Sequence, residues 1–160
     1  MNKALFTLCL MAAVSYASAS NINCKVVGIS DGDTLTCLTS SKQQIKVRLN
    51  QIDAPESKQA FGTASKKQLS DYVFGKDVTL KSSGTDRYKR TLAEVFYNNQ
   101  NINKKMVASG YAWAYRQYMT DNDYLQLEAI ARQKKLGLWQ DKNPIYPSRY
   151  RQLKLSKQTK

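Results

Sequence analysis

Apolar and polar residues alternate from Cys24 onward. Val26, Val27 and Ile29 lead into Ser30-Asp31-Gly32-Asp33, and Thr34, Leu35, Thr36 and Cys37 lead out. Beta-branched residues on both sides of an Asp-Gly turn predict a hairpin over residues 24–38. After a polar turn at 39–42, Ile45, Val47 and Leu49 alternate with Lys46, Arg48 and Asn50. That is a period-two strand with an apolar face and a basic, polar face, which carries Arg48 away from the core. Pro55 turns Ala54 away from helical geometry and suits a first helical turn. A helix is therefore predicted over 57–74, with Phe61, Ala64, Leu69, Tyr72 and Val73 at helical spacing and Gly75 as its stop. Strands follow at 77–82 and 91–97, separated by a loop and the basic run Arg87, Lys89 and Arg90. A turn at 98–101 precedes a short helix over 103–109, ended by Gly110. Tyr111, Trp113 and Tyr115 alternate with alanines as extended chain would. The clearest helix spans 121–136, with aspartates at its start, lysines at its end, Gly137 beyond, and a stripe of Tyr124, Leu127, Ile130 and Ala131.

Five short strands and three helices fit a small α+β domain built on a closed sheet. A five-stranded OB barrel is one such architecture, and periodicity does not choose it over other α+β sheets.

The ends of the chain read differently. Met1–Lys3 is short and basic, residues 4–14 are apolar except for Thr7, and Ala17-Ser18-Ala19 is a cleavage pattern. Residues 1–19 thus read as a secretory signal peptide, the alternative being a buried N-terminal element. The run is too short to span a bilayer, and no later stretch is long or apolar enough. The expected folded domain is 20–139, exported to the periplasm or beyond. Residues 140–160 shift to Pro, Tyr, Arg and Lys and read as a loosely attached basic tail. Its Tyr146, Arg149, Tyr150 and Arg151 suit stacking and phosphate contacts on single strands, or form a solvated tail with no specific role.

Of three cysteines, Cys9 leaves with the signal. Cys24 and Cys37 form an even pair in an exported chain, which favours a disulfide across the hairpin over two buried thiols. The net charge of +13, from 25 basic and 12 acidic residues, points to a polyanionic partner. The absence of histidine excludes Ser-His and Cys-His nucleophile systems and imidazole zinc sites. Hydrolysis by this chain would rest on carboxylates, arginines, lysines, tyrosines or a cation bound by oxygen.

Phosphodiester hydrolysis needs a poised water and stabilisation of charge on the phosphoryl oxygens. Arg48 and Arg90 are candidate forks for that charge, Glu56 a candidate base, and Asp33 and Asp53 candidate metal ligands. Each taken singly has a plainer explanation as a turn residue, a helix-start residue or a solvated charge.

In combination they point further. Asp-Gly-Asp-Thr at 31–34, Arg-Leu-Asn-Gln-Ile-Asp-Ala-Pro-Glu at 48–56 and Asp-Arg-Tyr-Lys-Arg at 86–90 closely resemble, in that order, the thermonuclease (staphylococcal nuclease-like) family. The resemblance runs from about Cys24 to the Leu-Gly-Leu-Trp sequence ending at Trp139. It implies a five-stranded OB-fold barrel with about three helices and a calcium-dependent nuclease acting on DNA and RNA. By position it implies Arg48, Glu56 and Arg90 as catalytic residues. Asp33, Asp53 and the carbonyl of Ala54 match the calcium ligands. Arg87 and Tyr88 match contacts to a terminal phosphate, and Tyr118 matches a tyrosine lining the nucleotide pocket. Lys89 stands where the family has Gly, and Arg116 where a pocket tyrosine is expected, so substrate preference is the property these departures touch. The expected partner is DNA or RNA, the expected state a monomer. A non-catalytic nucleic-acid-binding module on the same barrel, and an envelope protein binding anionic polymers, are the competing readings.

Overall fold

Cys24 and Cys37 stand thirteen positions apart, and the Asp-Gly turn between them folds the chain back so that the two are disulfide-bonded, with Cα atoms 5.6 Å apart. The structure, a computed structural model, describes residues 21–158. The expected signal peptide lies outside the described residues. In chain order the strands are β1 (Asn21–Asp31), β2 (Thr34–Thr39), β3 (Gln44–Leu49) and the short β4 (Ile52–Asp53). Helix α1 (Gly62–Val73) follows, then β5 (Asp77–Thr85), β6 (Thr91–Tyr97), the short β7 (Gln100–Asn101) and α2 (Ile102–Ala108). The chain ends with β8 (Trp113–Ala114), α3 (Asp123–Gln133), a 3-10 turn at Gly137–Gln140, and α4 (Pro147–Gln158).

The sheet runs β3-β2-β1-β5-β6 through antiparallel pairs, and a parallel β3–β6 pairing closes it. The result is a five-stranded closed barrel, the α+β architecture expected. Two irregularities in the β1–β2 register, near Val26 and Ile29, bend β1 so that it serves both neighbours. Val26, Leu35, Val47, Leu49, Leu80 and Val95 point inward and are fully buried. Each contributes on the order of 1.5–3 kcal/mol of apolar burial.

The polar seams are specific. Asn103, buried at the start of α2, accepts from Val95 N and donates to Asn50 O and Ala93 O, which fastens α2 to β6 and to the β3–β4 turn. Glu128 of α3 is 1% exposed and accepts from Ala114 N at 2.8 Å, with Arg116 and Arg132 beside it. It therefore holds β8, and β8 holds β4.

Three expectations differ. The helix predicted from residue 57 begins at Gly62. The preceding chain is a turn, Phe61 adopts φ 64°, and the Glu56 carbonyl lies where a side chain at position 62 would start. Phe61 is spent on the cluster of Trp113, Ala131, Leu138 and Trp139. The described residues hold four α-helices and not three. The fourth is α4, in the segment expected to be loose. It docks by Tyr146 against Trp113, with ring centroids 4.9 Å apart, and by Tyr150 OH on Lys58 O at 3.0 Å. Among the described residues no helix is long and apolar enough to cross a membrane.

Candidate active site

The β1–β2 turn delivers Asp31 and Asp33. Gly32 lies between them because the turn packs directly on Ser65 of α1 and on Ala54, leaving no room for a Cβ. Asp33 is buried, and its carboxylate accepts from Thr34 Oγ1 at 3.0 Å and from Ala54 N at 2.7 Å. The second bond couples the hairpin turn to the residue after β4.

Arg48 ends β3 on the polar face, as the alternation predicts. That face is a wall of a cleft and not open surface, and the side chain is only 11% exposed. Its Nη1 donates to Leu49 O and Ile52 O, and its Nη2 lies 3.1 Å from Asp33 Oδ2 and 3.2 Å from Asp53 Oδ1. One guanidinium thus bridges two carboxylates. Asp53 itself is fully buried on β4. Burial, and then the charge of Asp33, push its carboxyl up to about 6, while Arg151 and Arg48 pull the other way. Burial and Asp33 likewise push Asp31 up to about 7.

Glu56 stands on the turn before α1, its backbone N–H donating to the Gln59 side chain. Its carboxylate is 2.6 Å from Arg151 Nη1 of α4, and Arg151 Nη2 is 3.2 Å from Asp53 Oδ2. Burial works against the Arg151 charge, and the Glu56 and Asp53 carboxylates outweigh it, so the group is held firmly ionised.

The loop between β5 and β6 also lines the cleft and is organised by Asp86. Its Oδ1 accepts from Tyr88 N and Arg90 N, and its Oδ2 accepts from Arg90 Nε at 2.8 Å. Burial tends to raise the Asp86 carboxyl, but these bonds prevail and hold it below its ordinary value. Lys89 takes φ 61°, the left-handed conformation a glycine would adopt without strain. Arg87 donates to Tyr88 OH, and both Arg87 and Arg90 lie over the exposed Tyr88 ring. Tyr118, 62% exposed, stands edge-on to Tyr115 at the rim. Arg116 does not line this cleft; it reaches away to Glu128.

Asp33, Arg48, Asp53, Ala54, Glu56, Arg87, Tyr88, Arg90 and Tyr118 all line one cleft of about 740 Å³. Cys24 and Cys37 sit apart from it, in the barrel. Asp31 and Arg151 also line the cleft, outside the catalytic and metal-ligand set expected from the sequence, Arg151 being expected only in a tail that contacts phosphate or is solvated. Asp31 reads as an ordinary turn aspartate. Arg151 approaches only through the fold, from 95 residues beyond Glu56 and in a polar segment.

The donors fit a hard cation in kind, since the carboxylates of Asp33 and Asp53 offer oxygen alone. Among the described residues no three His, Cys, Asp or Glu side chains converge as a ready-made metal cluster. Further ligands would have to be main-chain carbonyl or water oxygens, which calcium accepts.

The family model described as "Staphylococcal nuclease homologue" matches residues 46–141. A Haemophilus influenzae protein named "Uncharacterized endonuclease" is 56% identical over 90% of this chain and 81% of its own length. A Shigella flexneri "Micrococcal nuclease" is 41% identical, covering 94% of this chain and 95% of its own. The Escherichia coli "Protein ParB" is 40% identical, over 94% and 90% respectively.

Proposed function

The chain belongs to the staphylococcal nuclease family, and from that premise we propose that its cleft hydrolyses phosphodiester bonds of DNA, RNA or both with calcium as cofactor. One observation carries the proposal. Two anchored guanidinium groups, two buried aspartates and a glutamate converge on one cleft in a chain of charge +13.

Asp33, Asp53 and the Ala54 carbonyl would hold the calcium, which when bound adds positive charge at the phosphoryl oxygens. Arg48 is oriented by Leu49 O and Ile52 O, so its Nη2 is aimed without further ordering. In the substrate complex that Nη2 exchanges a carboxylate for a phosphoryl oxygen. Arg90, braced by Asp86, neutralises charge from the β5–β6 loop. Glu56, 38% exposed, orients water for in-line attack and takes its proton on the carboxylate. Arg87 and Tyr88 suit a terminal phosphate, and Tyr118 offers a face for a base. No step calls on imidazole.

The same reading takes residues 1–19 as an export signal and the protein as periplasmic or extracellular, where the Cys24–Cys37 bond persists.

The test is incubation of the mature chain with labelled single-stranded DNA and RNA oligomers, first with calcium and then with a chelator. Cleavage that stops on chelation is the expected result. Retention of the oligomers without cleavage in either condition would contradict it and favour a binding module.

A further inference from the structure

Helix α4 lies beyond the segment that the family model matches, yet it delivers a third guanidinium to the cleft. Arg151 Nη1 sits 2.6 Å from Glu56 Oε1 and 3.4 Å from Asp53 Oδ1, and its Nη2 sits 3.2 Å from Asp53 Oδ2. These contacts occupy carboxylate oxygens that a water or a cation would otherwise use. A cation on Asp53 would also meet the Arg151 charge at close range.

We propose that α4 is an autoinhibitory latch: Arg151 occupies Glu56 and Asp53 in the resting protein and leaves them when calcium binds. The proposal rests on the metal-dependent reading of the same cleft and adds a device to it.

The helix is built to come away. Of its residues Pro147–Ser156, only Pro147 is buried. Leu153 and Leu155 are 43% and 64% exposed. The described contacts that join the helix to the domain are largely polar and include the two Arg151 ion pairs, Tyr150 on Lys58 O, and Gln59 Nε2 on Ile145 O just before it. A helix with so little apolar burial opens at low cost. Tyr146, packed on Trp113, stays as the fixed point behind it. The acceptor Lys58 O and the Gln59 side chain belong to the same turn that carries Glu56, so release of α4 frees that turn as well.

The test uses the full mature chain without nucleic acid. Calcium binding is measured by titration calorimetry on wild type, Arg151→Gln and Lys154→Gln. Lys154 is exposed on the same helix, so its variant removes an equal charge without touching the carboxylates. Amide hydrogen exchange of residues 147–158 is followed with and without calcium. The latch predicts that Arg151→Gln binds calcium at least about fivefold tighter than wild type, the scale of a partly exposed charge-assisted contact. Lys154→Gln stays within about twofold on the same reasoning, and calcium speeds exchange in α4 of the wild type. Equal or weaker binding by Arg151→Gln overturns the latch and leaves the metal site standing. Absence of binding by all three proteins overturns the calcium reading and the latch together.

Discussion

Replacing Gly32 by alanine is the smallest change that should couple the fold to the site. The new methyl would fall on Ser65 Oγ, 2.8 Å from Ser65 Cβ and 2.9 Å from Ala54 Cβ. Ser65 has little freedom to yield. It is fully buried, and its hydroxyl donates to Tyr111 O at 2.6 Å. Overpacking of this kind costs roughly 1–3 kcal/mol, and about 2 kcal/mol is expected here. In a domain of this size that lowers the melting temperature by roughly 6 °C. The turn relieves the clash by lifting away from α1 and Ala54. That stretches the 2.7 Å bond from Ala54 N to Asp33 and the contact of Asp33 with Arg48. A displacement of about 1 Å at such a site costs on the order of a hundredfold in rate. Thermal melting by circular dichroism and cleavage of an oligonucleotide read the two effects separately. A second change, Ser65→Gly, removes most of the obstruction, so the double variant should recover about 1 kcal/mol relative to the sum of the single changes. A Gly32→Ala protein that melts and cleaves like wild type would refute both the packing argument and its link to Asp33.

Other expectations follow from single contacts. Glu128→Ala leaves the Ala114 N–H without its acceptor and two arginines without their countercharge, so urea denaturation should show a loss of about 3 kcal/mol. Lys89→Gly relieves a left-handed backbone at φ 61° and should leave activity intact while stability, measured in the same way, stays level or rises by up to about 1 kcal/mol. Tyr118→Ala removes an exposed ring from the rim, and steady-state kinetics on single-stranded oligomers should show KM raised about tenfold with kcat little changed.

Much of this architecture is legible in the chain. Strand β6 is where alternation puts it, and Gly75 and Gly110 stop α1 and α2 with positive φ. Eight of the nine cleft residues announce themselves because they fall in three short motifs whose turns and strand ends are local features, and Tyr118 lies outside those motifs. What escapes the sequence depends on long-range packing. Pro55 reads as a helix start, but Phe61 is drawn to the Trp113–Trp139 cluster and the helix waits until Gly62. Asp31 looks like any turn aspartate until burial beside Asp33 raises its carboxyl. Arg48 alternates correctly onto a polar face, yet the pattern could not say that carboxylates from two other segments enclose it. Helix α4 is the largest omission. Its apolar residues do not form a stripe, so periodicity gives it no weight, and its contacts are made across the whole domain.

In the proposed mechanism, carboxylates and two guanidinium groups cleave a phosphodiester without imidazole. The most direct test of that mechanism is the turnover, at saturating calcium, of Arg48→Ala, Glu56→Ala and Arg90→Ala proteins that each melt cooperatively. The predicted result is a fall of at least about a hundredfold in every one. A wild-type rate in any of the three would contradict it.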